Sequence, residues 1–445
     1  MYSRSFFRAL FPEIASPYLQ DLVERFPDIL AYYFLAFDIK TPSPTIITAA
    51  SRIYANISAI SAGFEGAGIR RELFCCSYLP RQKVLFKESR NKPSLFLAKR
   101  ITSQEIDTLL NEINSSIKNK GAYAIFNDDF YEELPRISFT ALFLNFLFME
   151  GFAYLKSLSE LEDIEILRGI FASRKNSFFI TGQRLQIPEF FDPAYPEANI
   201  EFTPPLAEVV SAEALFSKLS PFKRFLRREK IIRALNVMHS ALDGRDKLLK
   251  IAAEFHKTTR SALLEHGRYI KSRKKFLDEN HVFLFESADI RRLANDSYYS
   301  NIEPALEYKK NFIRRCAAQA AVYDIYEEDI KYFGLIAEKQ TAQVSEGVKL
   351  SCLSLGGNEE IRGVCSTNPD EGELSCLKIP NLASLSCLKT PNALICDLAP
   401  LFSYVTEYCV INKIPLYYSV RFPELLSGKR LTLHKGDIEI NVVNK

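Results

Sequence analysis

The chain has no Trp, and its 445 residues include only 3 Met and 5 His. No two of the His stand at metal-ligand spacing, so no metal centre is expected. None of the 9 Cys forms a C-x-x-C pair. Cys75 and Cys76 are adjacent, while Cys352, Cys365, Cys376, Cys387, Cys396 and Cys409 are spread along the C-terminal part. That spacing fits neither a zinc site nor a small disulfide framework. It implies reduced, mostly buried thiols in a cytoplasmic protein. A Walker A loop, a Gly-rich dinucleotide turn and a Gly-x-Ser-x-Gly elbow are all missing, so no cofactor is expected. Charge of one sign is missing too: 57 basic and 54 acidic residues leave a net +3. That balance argues against nucleic acid or an anionic membrane as partner. The first residues lack the apolar core of a signal peptide. The most apolar stretch, residues 137–155, is broken by Asn145, Glu150 and Gly151. It falls short of the roughly 18 clean residues of a membrane span and predicts a buried helix.

What the chain does have is 34 Phe and 21 Tyr, so Phe carries most of the large-volume packing. The length suggests two to three domains. Leu19, Leu22, Val23, Phe26, Ile29 and Leu30 recur at helical spacing, as do Ile106, Leu109, Leu110 and Ile113. From about residue 100 to 270 the chain reads helical, interrupted by Phe179-Ile180 and a Pro-rich loop over residues 188–205. That loop reads as ordered, because four aromatic residues in it would be costly to expose together. Residues 308–332 predict a further charged helix, and residues 333–350 a linker. Asp128-Asp129 and Glu132-Glu133 read as a solvated acidic face, and Lys223, Arg224, Arg227, Arg228 and Lys230 as a solvated basic one. LSCLKIPN at Leu374 and LSCLKTPN at Leu385 form a local repeat too short for a solenoid. They read as short β-turn units or a local duplication. Residues 430–433 and 437–442 alternate between faces around Lys435-Gly436, which predicts a hairpin.

Residues 393–419 read ALICDLAPLFSYVTEYCVINKIPLYYS. An apolar run, a turn with Pro400, a helical segment, Lys413-Ile414-Pro415 and a second apolar run predict strand, helix, strand. This stretch resembles the phosphohistidine (swivelling) domain of the phosphoenolpyruvate-utilising enzymes, such as pyruvate phosphate dikinase, phosphoenolpyruvate synthase and rifampin phosphotransferase. Their motif runs Thr-Glu-x-Gly-Gly-x-x-Ser-His, followed later by Gly-Ile-Pro. Ser403 takes the Ser position, Ile414-Pro415 the Ile-Pro, and Tyr404 the position of the phosphate-carrying His. Further pieces agree in order. Phe11-Pro12-Glu13 with Ser16-Pro17, and Arg52, Tyr54, Asn56 and Ser58, resemble the entry and a strand of the family's central region. Leu264, Gly267 and Ile270 match its closing helix, and residues 281–285 the strand after it. Gly428, Leu431 and Leu433 match its tail, with His434 where Asp is usual.

The resemblance implies an α+β chain: a mainly helical central, substrate-binding-like domain over residues 1–340, then a small β/β/α swivelling domain over 346–445. The family's ATP-grasp kinase domain and phosphoenolpyruvate-binding barrel have no counterpart here. In the family an imidazole accepts the phosphoryl group, since its ordinary pKa of about 6.5 leaves it nucleophilic near neutrality. Tyr, with a pKa of about 10, offers little phenolate there. The family's two Gly, which admit phosphate close to the backbone, are Ala399 and Pro400 here. Thr-Glu becomes Cys396-Asp397, and an Arg becomes Val410 or Ile411. The candidate catalytic positions are thus Tyr404, expected to be inert, and Ser403. His239, His256, His266 and His434 read as structural, and His281 as a cap. Three functions follow as expectations. The first is a degenerate homologue that binds a hydrophobic small molecule among its Phe-rich helices, or a partner protein. The second is the carrier of a split phosphotransferase served by a separate ATP-grasp subunit. The third is a purely structural or regulatory interaction protein.

Overall fold

The computed structural model describes residues 2–3, 15–25, 28–35, 39–49, 52–66, 103–118, 132–158, 162–172, 177–180, 200–203, 221–273, 275, 278–295, 302–318, 324–325, 349–357, 359–368, 373–377, 385, 388, 391–397, 399, 401–418, 420 and 423–441. The residue 11–13 entry motif, Asp128-Asp129, most of the second LSCLK copy, and Pro400 lie outside the described residues, as does the Pro-rich loop up to residue 199.

The fold is α+β, with a helical N-terminal and central part and a mixed sheet in the C-terminal region. The helical part is organised around α5 (Glu133–Leu158). Leu142, Phe143, Leu144, Phe146, Leu147 and Phe148 point in different directions around this helix, yet all are buried. A helix apolar on every side must be covered on every side. It is long and apolar enough to cross a membrane, but 89% of its most apolar window is buried inside the protein. Its interior hydroxyls are satisfied within the helix: Ser138 donates to the Leu134 carbonyl at 2.8 Å and Thr140 to that of Arg136 at 2.7 Å.

Three helices supply much of the cover: α2 (Ile29–Leu35), α4 (Ser103–Lys118) and α7 (Pro221–Ser272). At ~1.5 Å per residue, the 52 residues of α7 span about 78 Å. Small residues let α7 approach its neighbours closely. A methyl at Gly151 would stand 2.5 Å from Met238 Cγ, and one at Gly267 would collide with the Glu279 carbonyl. The remaining described helices are α1 (Pro17–Arg25), α3 (Ile57–Gly66), α6 (Asp163–Ala172), α8 (Ser287–Asn295) and α9 (Glu303–Ala318).

Several expectations are corrected here. Residues 281–285 are not a strand: Glu279–Leu284 is a 3-10 turn capped by the Asp278 carboxylate, which accepts from Asn280 N at 3.0 Å. Glu133 does not lie on a solvated acidic face; it is buried and accepts hydrogen bonds from Ser116 and Arg136. The charged helix α9 stops at Ala318, and Asp324–Ile325 is a short strand, β6. The Pro-rich loop contains a strand at its end: β5 (Ile200–Thr203) pairs antiparallel with β4 (Ser177–Ile180). β3 (Arg52–Asn56) pairs antiparallel with β2 (Ile46–Ala49) and with β1 (Tyr2–Ser3), which also pairs with β6.

In the C-terminal part, β9 (Ile361–Ser366), β10 (Leu374–Leu377), β11 (Ala393–Cys396) and β12 (Leu416–Tyr418) run parallel to one another. The first LSCLK copy supplies β10, so it is a buried strand and not a turn unit. β13 (Arg430–His434) and β14 (Asp437–Ile440) form the expected hairpin, with Gly436 at φ 96° in its turn. β7 (Lys349–Ser351) pairs with β14, while β8 (Leu353–Leu355) pairs with β12. Only Cys352 separates β7 from β8, the two end strands of this eight-stranded sheet, so one short segment of chain pairs at both ends of the strand order.

Side chains alternate accordingly. Ala393, Ile395, Tyr417, Leu431, Leu433 and Ile438 pack together on one face of the sheet. Leu394, Cys396, Leu416 and Tyr418 face outward and join the core of the helical part. Cys352, Cys365, Cys376, Cys396 and Cys409 are buried thiols outside any disulfide.

Candidate functional site

The strand–helix–strand unit forms as expected. β11 leads through a short turn into α10 (Tyr404–Ile411), which returns to β12 as a parallel crossover. Ser403 is the N-cap of α10. Its backbone is extended (φ −85°, ψ 155°), and its Oγ accepts from Thr406 N at 3.2 Å. Tyr404 is the first residue of the helix. Past its end, Lys413 takes φ 57°, a conformation that Gly adopts without strain.

Tyr404 does not face solvent. Its side chain turns towards α7, and the residue is 7% exposed. The Tyr404 hydroxyl donates to Asp246 Oδ1 at 3.1 Å. The Arg245 guanidinium lies 3.9 Å from the centre of the Tyr404 ring and 5.3 Å from that of Phe402. Arg245 Nη1 donates to the Phe402 carbonyl at 2.8 Å, while Nη2 meets Asp246 at 3.2 Å and forms an ion pair with Glu407 in the first turn of α10. One guanidinium therefore serves two carboxylates, a carbonyl and two aromatic faces, all buried. Below it the Phe402 ring meets Phe148 of α5 at 5.0 Å, and α10 packs on α6. At the exposed edge Lys435 reaches Glu162 at 3.4 Å.

Burial, and then the Asp246 charge, push the Tyr404 phenol well above its ordinary value of 10.0, against the opposing pull of Arg245. A phenolate nucleophile is correspondingly scarce. A raised folded-state pKa means that the folded protein holds the proton longer than the unfolded chain. The stability this contributes is fully present below about pH 10 and is lost as pH rises above it. Tyr404→Phe is expected to lower stability by about 1 kcal/mol at pH 7, the usual worth of a buried hydrogen bond. It should also flatten the alkaline decline, as checked by denaturant unfolding at several pH values.

Sequence reasoning placed Ser403 and Tyr404 together on the helix start, and the structure does the same. It missed Arg245, Asp246 and Glu407. The signal was faint: Glu407 is a lone charge within YVTEYCV, while Arg245-Asp246 sits in the charged run LDGRDKL, which reads as a solvated turn of helix. The five His lie elsewhere in the fold. His239, His256 and His266 are on α7, His281 is in the 3-10 turn, and His434 ends β13. Burial lowers the pKa of His266 and His281, so both are neutral at pH 7. Among the described residues no group of three or more His, Cys, Asp and Glu is arranged to hold a metal.

The Phe-rich helices form a packed core. Phe139 stacks on Phe143 with centroids 5.6 Å apart, and Phe148 on Phe152 and Phe171 at 6.5 and 6.4 Å. Away from them, Glu254, Lys257, Thr258, Ser261, Ala262 and Glu265 of α7 line a shallow polar depression of about 280 Å³.

No protein-family model matches the chain, and no curated protein matches it.

Proposed function

We propose that the chain is a catalytically degenerate, kinase-less relative of the phosphoenolpyruvate-utilising phosphotransferases, acting in the cytoplasm as a binding protein. One observation carries this reading: the residue at the phosphohistidine position is Tyr404, and Arg245 and Asp246 hold it against α7. The backbone supports the ancestry. The N-cap Ser403, the crossover and the left-handed position before Ile414-Pro415 fall where the motif needs them. The polar parts of a phosphate site are replaced, while the apolar frame of Leu401, Phe402, Val405 and Ile414 is buried.

The interlocked Phe rings favour a partner protein over a hydrophobic small molecule as the bound species. A carrier role in a split phosphotransferase would require an accessible nucleophile at the start of α10, and Tyr404 is 7% exposed. The test is incubation of the whole protein with γ-labelled ATP and the product of any neighbouring kinase gene. The expected result is no phosphate on Tyr404 and no acid-labile phosphate on any His. Label at either would overturn the reading.

A further inference from the structure

In a phosphate carrier, a domain that swivels must leave each docking surface at low cost. The contact between the C-terminal unit (residues 349–441) and the helices is built the opposite way. Its apolar part belongs to the same continuous core as α5 and α7: Leu394, Cys396, Phe402, Val405, Cys409 and Leu416 cluster with Phe148, Phe171 and Leu242. Its polar part is the buried Arg245 cluster. Separation would leave the Phe148 and Phe402 rings bare and would split Arg245 and Asp246 from Glu407 and Tyr404. The helical side also donates across the boundary into backbone, through Arg245 to the Phe402 carbonyl, and this fixes orientation as well as contact.

We infer that the C-terminal unit is a fixed cap on the helical part, clasped by Arg245, and that it does not swivel. The inference rests on the contact geometry alone and stands whatever the ancestry of the chain. It assigns Arg245 a positioning role: the residue holds α10 on α6 and α7 through Glu407, Asp246 and the Tyr404 ring. A clasp of this kind makes the two parts open only with global unfolding, because local opening exposes both a charge cluster and an apolar face.

Hydrogen exchange on the whole protein tests this. In the wild type, amides of α10 and α6 are expected to exchange at the slow rate of β10 and β11. In Arg245→Met, the amides of α10 and α6 should speed up together, by at least about tenfold more than those of β10 and β11, ~1.4 kcal/mol of additional opening free energy. The charge-free triple variant Arg245→Met/Asp246→Asn/Glu407→Gln should recover most of the lost protection, since no buried charge is then left unpaired. Wild-type α10 and α6 exchanging faster than β10 and β11 would show a separately opening unit and overturn the inference. So would acceleration in Arg245→Met that is confined to one of the two helices. If Arg245→Met unfolds outright, the wild-type comparison decides. A swivelling unit that still carries no phosphate would sink this inference and leave the proposed function standing.

Discussion

Arg245→Met is expected to cost about 3–5 kcal/mol, the usual penalty for leaving a buried charge without its partner. The size follows from what the guanidinium serves. Glu407 and Asp246 are 3% and 5% exposed, so water cannot replace the lost cation. Met fills much of the Arg stem but offers no donor to Glu407, to Asp246 or to the Phe402 carbonyl. Denaturant unfolding at pH 7 reads the loss as a lower midpoint. Removing the two carboxylates together with Arg245 should return most of it, because apolar or neutral replacements of a whole buried charge cluster are often tolerated. Equal losses in the single and triple variants would show that packing, and not charge pairing, holds this boundary.

Phe148→Ala is expected to cost a similar ~3–5 kcal/mol by opening a cavity in the middle of α5. The ring is fully buried and touches Phe152, Phe171 and Phe402, so it joins the helical core to the base of α10. The loss should therefore appear in both parts of the chain at once. Fluorescence is a poor probe without Trp, so circular dichroism and hydrogen exchange should be followed together. Phe148→Leu, which keeps most of the volume, should cost clearly less. Two separate transitions in Phe148→Ala would show that the ring is less central to the shared core than its contacts indicate.

The elements with strong local patterns were legible in the sequence. α5 announced itself by apolar density, and the β13–β14 hairpin by alternation around Lys435-Gly436. The β11–α10–β12 unit showed an apolar run, a helical segment and Ile414-Pro415 in order. The 3-10 turn at Glu279–Leu284 was misread as a strand, because a short apolar run looks the same whether it is extended or tucked under a helix. Gly267 is what admits it there: a methyl would meet the Glu279 backbone. The pairing of residues 349–355 at both ends of the sheet was invisible, since it depends on two partners distant in sequence. Glu133 and the Arg245 cluster were missed for a common reason. A charge on a helix is exposed by default, and these are buried only by partners elsewhere in the chain; Arg245 and Glu407 lie 162 residues apart.

The central claim is that position 404, which we propose corresponds to the family's phosphohistidine, is closed by its surroundings and not merely by the absence of an imidazole. Chemical phosphorylation tests it without any kinase. Phosphoramidate transfers phosphate to accessible histidines, and Tyr404→His places one at the start of α10 between Arg245 and Asp246. The expected result is a folded variant with no acid-labile phosphate at position 404 under native conditions, and labelling there only after denaturation. Rapid native labelling at position 404 would contradict the account, because it would show the site open to a phosphoryl donor.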